Sequence, residues 1–278
     1  MRCHYDRDPQ CAQCDRCRGG RADCLAHDLA DAARKATLAR FRQAGLSAEN
    51  KASAGFDPVT EADREAEAAM RALIEARRPQ DAILGEEFGA KSGQSGLTWV
   101  LDPIDGTRGF MTGTASWGVL IALLNETGPI FGVIDQPYIG ERFMGGLGQN
   151  SLTGPQGEMI LRTSARKTLA EARLFSTFPE IGTISERLAF EAVRDQVLLT
   201  RYGMDCYAYG LVALGQADLV IEAGLQSYDI AAPIAVIEAA GGIVTNWQGG
   251  HAHQGGQVLA AANRDLHQAA LVLLYEQS

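Results

Sequence analysis

The stretch Trp99-Val100-Leu101-Asp102-Pro103-Ile104-Asp105-Gly106-Thr107 constrains this chain more than any other. An apolar strand runs into two carboxylates three residues apart, with a proline between them and Gly-Thr directly after. Proline fixes φ and has no N–H to donate, so the strand is expected to stop at Pro103 and the backbone to turn. Such a turn aims Asp102 and Asp105 into one pocket and leaves the Ile104 carbonyl pointing there too. Three oxygens from so few residues suit a hard divalent cation such as Mg²⁺. Gly106 lets the backbone come close to a bound group, and the Gly106 and Thr107 amides face an anion if a helix begins there. The stretch reads as a metal-assisted phosphate site.

The rest of the chain narrows the partners. Its 278 residues make one large domain or two of ordinary size. A formal charge of −9 argues against nucleic acid or an anionic membrane as partner. An anionic substrate then needs local positive charge, which bound metal ions supply. No apolar run reaches transmembrane length, and the opening MRCHYDRDPQ lacks the apolar core of a signal peptide, so a cytoplasmic location is expected. Cys3, Cys11, Cys14, Cys17 and Cys24 crowd the first segment, and only Cys206 lies in the body. A disulfide framework would spread through the fold, so the compartment is read as reducing. Residues 1–24 are either a flexible extension or a zinc or iron–sulfur site built on Cys11, Cys14 and Cys17 with Cys3, His4 and Cys24 nearby.

From Leu25 an apolar stripe at helical spacing runs to Phe41 and ends near Gly45. A second helix is expected after Thr60, its N-cap, with Asp63 in the capping-box position, and it stops at Arg78-Pro79. Asp81 to Gly89 reads as a short strand delivering Glu86 and Glu87, and Lys91 to Gly96 as a loop. Trp117–Leu124 and Pro129–Ile134 form a hairpin through Asn125–Gly128. The glycines of Gly148–Gly157 suggest a crossing between domains spanning 25–150 and 151–278. Beyond it strands and helices alternate, with a helix over Ile230–Ala239 apolar on nearly every side and a last helix capped by Asn263. His251 and His253 are expected at a solvated loop tip, and Cys206 in the core.

Four separated motifs carry a resemblance: DPVTEAD (Asp57–Asp63), GEE (Gly85–Glu87), WVLDPIDGT (Trp99–Thr107) and YDIAAPIAVIEAAGG (Tyr228–Gly242). With them the chain resembles the inositol monophosphatase superfamily of Mg²⁺-dependent phosphatases from about Leu25 onward. Tyr228 stands where that family commonly has Trp. Arg108, the run Asp205-Cys206-Tyr207-Ala208-Tyr209-Gly210, and Glu222-Ala-Gly-Leu before Tyr228-Asp229 resemble its histidinol-phosphate phosphatase branch.

The resemblance implies a layered α-β-α-β-α sugar-phosphatase-type fold, α+β and antiparallel-rich in its N-terminal half and α/β in its C-terminal half. It implies that Glu86, Asp102 and the Ile104 carbonyl hold one Mg²⁺ and that Asp102, Asp105 and Asp229 hold a second. Glu86 and Asp102 would share a third, looser ion. Asp63 and Thr107 match the pair that orients and deprotonates the attacking water. The Gly106 and Thr107 amides, with Arg108, would contact the phosphate, and Asp229 would position a water that protonates the departing alkoxide. Asp205 and Glu222 would face the leaving group, an acidic pair better matched to a cationic alcohol than to a neutral polyol. The implied activity is hydrolysis of a small phosphate ester, L-histidinol phosphate in histidine biosynthesis, with inositol-1-phosphate or another sugar or nucleotide phosphate as the alternative. A homodimer is expected.

Overall fold

The computed structural model describes residues 22–43, 48–50 and 58–277. Cys3, Cys11, Cys14, Cys17, His4 and Asp57 lie outside the described residues; neither Cys24 nor Cys206 is in a disulfide. Helix α1 (Ala22–Arg40) begins three residues before the expected Leu25, so residues 22–24 belong to it. Strands β1 (Ala48–Asn50) and β2 (Pro58–Thr60) pair antiparallel and lead into α2 (Glu61–Arg77). Thr60 caps α2 as expected. Its hydroxyl accepts from the Ala62 amide at 3.1 Å, and the Asp63 carboxylate accepts from the Thr60 amide at 2.8 Å.

The large sheet is built from β3 (Ala82–Gly85), β4 (Gly89–Lys91), β5 (Thr98–Asp105), β6 (Gly118–Asn125), β7 (Gly128–Gln136), β8 (Glu141–Gly146), β9 (Gln149–Gly154) and β10 (Gly157–Ile160). Its order is β10-β9-β8-β7-β6-β5-β3-β4, antiparallel throughout except for β3 against β5. Two expectations fail here. β5 does not stop at Pro103 but continues to Asp105, because one extra residue is absorbed between the pairs Asp102–Leu120 and Asp105–Gly118. Pro103 sits in that bulge, where a missing N–H breaks no ladder bond. Nor is Gly148–Gly157 a crossing: its glycines turn hairpins, β9 and β10 extend the same sheet, and the chain leaves only after Ile160. The strand expected over Asp81–Gly89 is in fact two, β3 and β4, with Glu86 and Glu87 in the turn between them.

A short helix, α3 (Thr107–Thr112), follows β5. The small sheet contains β11 (Arg173–Ser176), β12 (Leu199–Tyr202), β13 (Leu219–Gln226), β14 (Ile243–Thr245) and β15 (Gly255–Ala261), in the order β12-β11-β13-β15-β14. Its helices are α4 (Ile184–Arg194), α5 (Tyr207–Ala213), α6 (Ser227–Ala239) and α7 (Arg264–Gln277). The Asn263 side chain accepts from the Leu266 amide at 3.1 Å and so caps α7. No described helix is long and apolar enough to cross a membrane.

Five layers result. Helices α1 and α2 cover one face of the large sheet, through Leu29, Ala33, Met70 and Ile74 against Trp99, Ile121 and Phe131. On that side Asp135, fully buried in β7, accepts from Arg34 of α1 and from Arg142 of β8, at 2.7 Å in each case, so its charge is paired. Helix α6 fills the space between the two sheets, with every residue from Ile230 to Ile237 buried. It joins Leu120, Ile134 and Phe143 of the large sheet and Val220 and Leu259 of the small one in a single core. Helices α4 and α7 pack together on the outer side of the small sheet.

The contact between α6 and the large sheet is backbone against backbone. A Cβ on Gly132 would lie 2.3 Å from the Ala232 carbonyl oxygen, and one on Gly145 would lie 2.5 Å from the Ala235 carbonyl oxygen. Neither neighbour is a movable side chain, so any larger residue lifts the helix. Gly132→Ala is expected to lower stability by about 1–3 kcal/mol, read as a fall in Tm by calorimetry; an unchanged Tm would mean the helix has slack.

Candidate active site

Side chains alternate along a strand, so Asp102 and Asp105 would point to opposite faces of a regular β5. The bulge removes that conflict. Its local geometry is held by the Ile104 amide, which donates to Asp102 Oδ1 at 3.1 Å, and by the Thr107 hydroxyl, which donates to the Ile104 carbonyl at 3.1 Å. Asp229 arrives from the first turn of α6, where its carboxylate accepts from the Gln226 amide at 2.6 Å. Carboxylate oxygens of Asp102, Asp105 and Asp229 lie within 4.8 Å of one another. Glu86, in the turn after β3, faces Asp102 closely enough to act on its titration.

The electrostatics of this cluster are unfavourable without a counter-charge. Burial pushes the Asp102 carboxyl well above the usual range, and Glu86, Asp105 and Asp229 push it further. Asp105 is raised in the same way by burial, then by Asp205 and Asp229, although the Cys206 amide donates to it at 2.5 Å. Like charges gathered in a poorly solvated site cannot all ionise alone. An all-oxygen set of this kind is what a hard divalent cation binds, so the residues present fit such an ion.

Asp63 and Asp229 are set by the same device. Each occupies the third position of its helix and gives one oxygen, Oδ2, to the amide of the N-cap residue. Asp63 is fully buried, and its neighbour Ala62 packs with Ile104, Phe110 and Trp117 in a small cluster that ties the start of α2 to the end of β5. The Thr107 hydroxyl donates to the Ile104 carbonyl and not, as expected, to the Asp63 carboxylate, which accepts from the Thr60 hydroxyl at 2.5 Å.

At the start of α3, Gly106 has φ +83°, and a Cβ there would lie 2.7 Å from the Asp205 carboxyl carbon. A glycine is therefore needed for both the turn and the space. Asp205 accepts from the Ser116 hydroxyl at 3.2 Å; burial raises its carboxyl, while Ser116 and Arg108 oppose the rise. Glu222, on β13, accepts from the Thr177 amide at 2.7 Å and the Thr177 hydroxyl at 2.9 Å. Burial nevertheless pushes it up to about 7, and the charge of Asp205 adds to the shift. Arg108 is exposed beside this pair, its guanidinium 5.0 Å from the centre of the Phe178 ring.

Some residues that organise the site gave weak signals in the sequence. Glu67 is fully buried on α2 and accepts from the amides of Glu87 at 2.7 Å and Phe88 at 3.2 Å, and from Arg71 at 2.6 Å. It thereby holds the turn that carries Glu86. A carboxylate within the stripe Ala66, Met70 and Ile74 was its only mark. Ser116, Thr177 and Phe178 come from distant segments with no spacing to announce them. His251 and His253 lie in a loop with ring centres 5.8 Å apart and take no part in the carboxylate cluster. Cys206 is buried, its sulfur accepting from Gln136 at 3.4 Å.

Comparison with known proteins points to one family. The profile of the inositol monophosphatase family matches residues 22–278. The chain is 44% identical over 227 residues to the bifunctional phosphatase IMPL2, chloroplastic, of Arabidopsis thaliana, a match that takes in 78% of this chain and 65% of that protein. It is 35% identical over 263 residues to a histidinol-phosphatase of Streptomyces coelicolor, covering 91% of this chain and 96% of that one. Among solved structures, an inositol monophosphatase from Zymomonas mobilis superposes with a TM-score of 0.80 at 39% identity, covering 97% of this chain and 100% of that one. The chain belongs to the inositol monophosphatase family.

Proposed function

We propose that the chain is a Mg²⁺-dependent phosphomonoesterase that hydrolyses L-histidinol phosphate to L-histidinol and phosphate. The observation that carries the leaving-group assignment is the acidic pair Glu222 and Asp205, neither of them in the three-carboxylate cluster and close enough that the Asp205 charge raises the Glu222 carboxyl. An ammonium group on the departing alcohol suits that pair, whereas a neutral polyol offers it no charge. The similarity to the Streptomyces histidinol-phosphatase supports this reading. The similarity to the Zymomonas inositol monophosphatase favours a second one, with inositol-1-phosphate or a related small phosphate ester as substrate.

In this reading Glu86, Asp102, Asp105, Asp229 and the Ile104 carbonyl hold two or three Mg²⁺ ions. When bound, the ions would supply the positive charge that an acidic chain lacks and the Lewis acidity that phosphoryl transfer to water requires. The Gly106 and Thr107 amides bind phosphate oxygens, and Arg108 adds a charge-assisted donor. Thr107, with its proton on the Ile104 carbonyl, orients the attacking water through a lone pair, and Asp63 takes up the proton that water loses. Glu222 and Asp205 orient the leaving alcohol.

Phosphate release on L-histidinol phosphate and inositol-1-phosphate, measured side by side with Mg²⁺, tests the substrate; faster hydrolysis of the inositol ester defeats the first reading. Asp102→Asn should lower turnover by at least about a hundredfold, since even a residue behind a metal ligand is worth 10–100-fold. Calorimetric titration should show weakened Mg²⁺ binding in that variant, while the circular dichroism spectrum stays native; full turnover would overturn the metal assignment.

Glu222 is protonated below about 7 and ionised above it, with Asp205, Tyr209, Thr177 and Ser176 as the polar groups around it. On histidinol phosphate, kcat/KM should therefore rise as pH passes upward through about 7, and Glu222→Gln should flatten that limb. A raised carboxyl contributes stability that is present at acid pH and lost as pH rises through about 7. The same variant should accordingly gain more in Tm at pH 8 than at pH 5, and equal shifts would show that Glu222 titrates elsewhere.

A further inference from the structure

The loop after β11 places one aromatic ring at the edge of an otherwise charged site. Phe178 remains 45% exposed, although it sits between two anchored residues. On one side Thr177 is tied to Glu222 through both its amide and its hydroxyl, at 2.7 and 2.9 Å. The Ser176 hydroxyl lies between the Phe178 carbonyl, at 3.3 Å, and the other Glu222 oxygen, at 3.4 Å. On the other side Pro179 restricts Phe178 to an extended backbone. The ring therefore stands on a fixed base rather than on a free loop tip.

Its ring contact spans the two sheets. Phe178 follows a strand of the small sheet, while Arg108, whose guanidinium lies 5.0 Å from the ring centre, belongs to α3 at the end of β5 in the large one. Arg108 also lowers the carboxyl of Asp205, so ring, guanidinium and both leaving-group carboxylates border one space. A single exposed phenylalanine means little on an ordinary surface. This one directly follows Ser176 and Thr177, both bonded to the very carboxylate that would receive the ammonium group, and its ring presents a flat apolar face beside them.

We infer that Phe178 is the specificity platform for the leaving group, stacking against a planar heteroaromatic ring while Glu222 and Asp205 hold the adjacent ammonium. The inference rests on the histidinol-phosphate reading and extends it, since imidazole is such a ring. Phe178 thereby selects among cationic alcohols, a choice the two carboxylates alone do not make.

The test compares L-histidinol phosphate with the phosphate ester of 2-amino-1-propanol, which keeps the ammonium and the phosphate and lacks the ring. The ratio of kcat/KM for the two esters is measured in the native enzyme and in Phe178→Ala, Phe178→Leu and Phe178→Tyr. The ratio should fall about three- to tenfold in the Ala and Leu variants, the worth of one aromatic contact, through KM rather than kcat. Phe178→Tyr should restore it. If the native enzyme prefers histidinol phosphate to inositol-1-phosphate but the ratio is the same in all variants, the platform is refuted while the proposed function stands. If Leu preserves the ratio as well as Tyr does, the residue is mere apolar bulk and the inference also falls. A native preference for the inositol ester removes both readings together.

Discussion

Helix α6 is the element to which the remainder of the molecule is fitted. Its buried run from Ile230 to Ile237 has no face for water, so both sheets must be present for it to be stable. The large sheet receives it on two glycines, Gly132 and Gly145, whose missing side chains let strand and helix backbones touch. Asp229 stands in the first turn of this helix, so the seating of α6 fixes one corner of the acidic cluster. A carboxylate of the acidic cluster is thus carried by the most confined element of the fold, while Glu222 rides on β13, Phe178 on the loop after β11 and Asp205 on the turn before α5.

The acids are positioned by backbone amides more than by each other. Asp63 and Asp229 are each pinned by the N-cap amide of a helix, Asp102 by the amide of Ile104, and Asp105 by that of Cys206. Such bonds hold a carboxylate at a set angle and cost nothing in flexibility when a ligand arrives. Burial and repulsion raise both Asp102 and Asp105, and at Asp105 the Cys206 amide offsets part of that penalty.

Much of the site was legible because it was local. The strand into Asp102 and Asp105, the helix start at Gly106, the Thr60–Asp63 cap and the buried helix behind Asp229 each lie within one short segment. The errors came from reading local signals without their partners. Pro103 stops an isolated strand but fits a bulge once β6 supplies the register. The glycines of Gly148–Gly157 look like a linker until β9 and β10 are seen to pair. Glu67 gives no sign of its burial in the sequence, and only the turn after β3, folded across it, reveals it. The leaving-group side was least legible, because Ser116, Thr177, Asp205 and Glu222 meet only when the two sheets come together.

The position of α6 in the chain bears on how the protein is made. The large sheet is complete at Ile160, but the helix that covers its inner face begins only at Ser227. During synthesis Leu120, Ile134 and Phe143 therefore emerge with no native partner from that helix, and the exposed edge of β10 stands open beside them. An apolar sheet face left waiting in this way is a surface for aggregation and for chaperones.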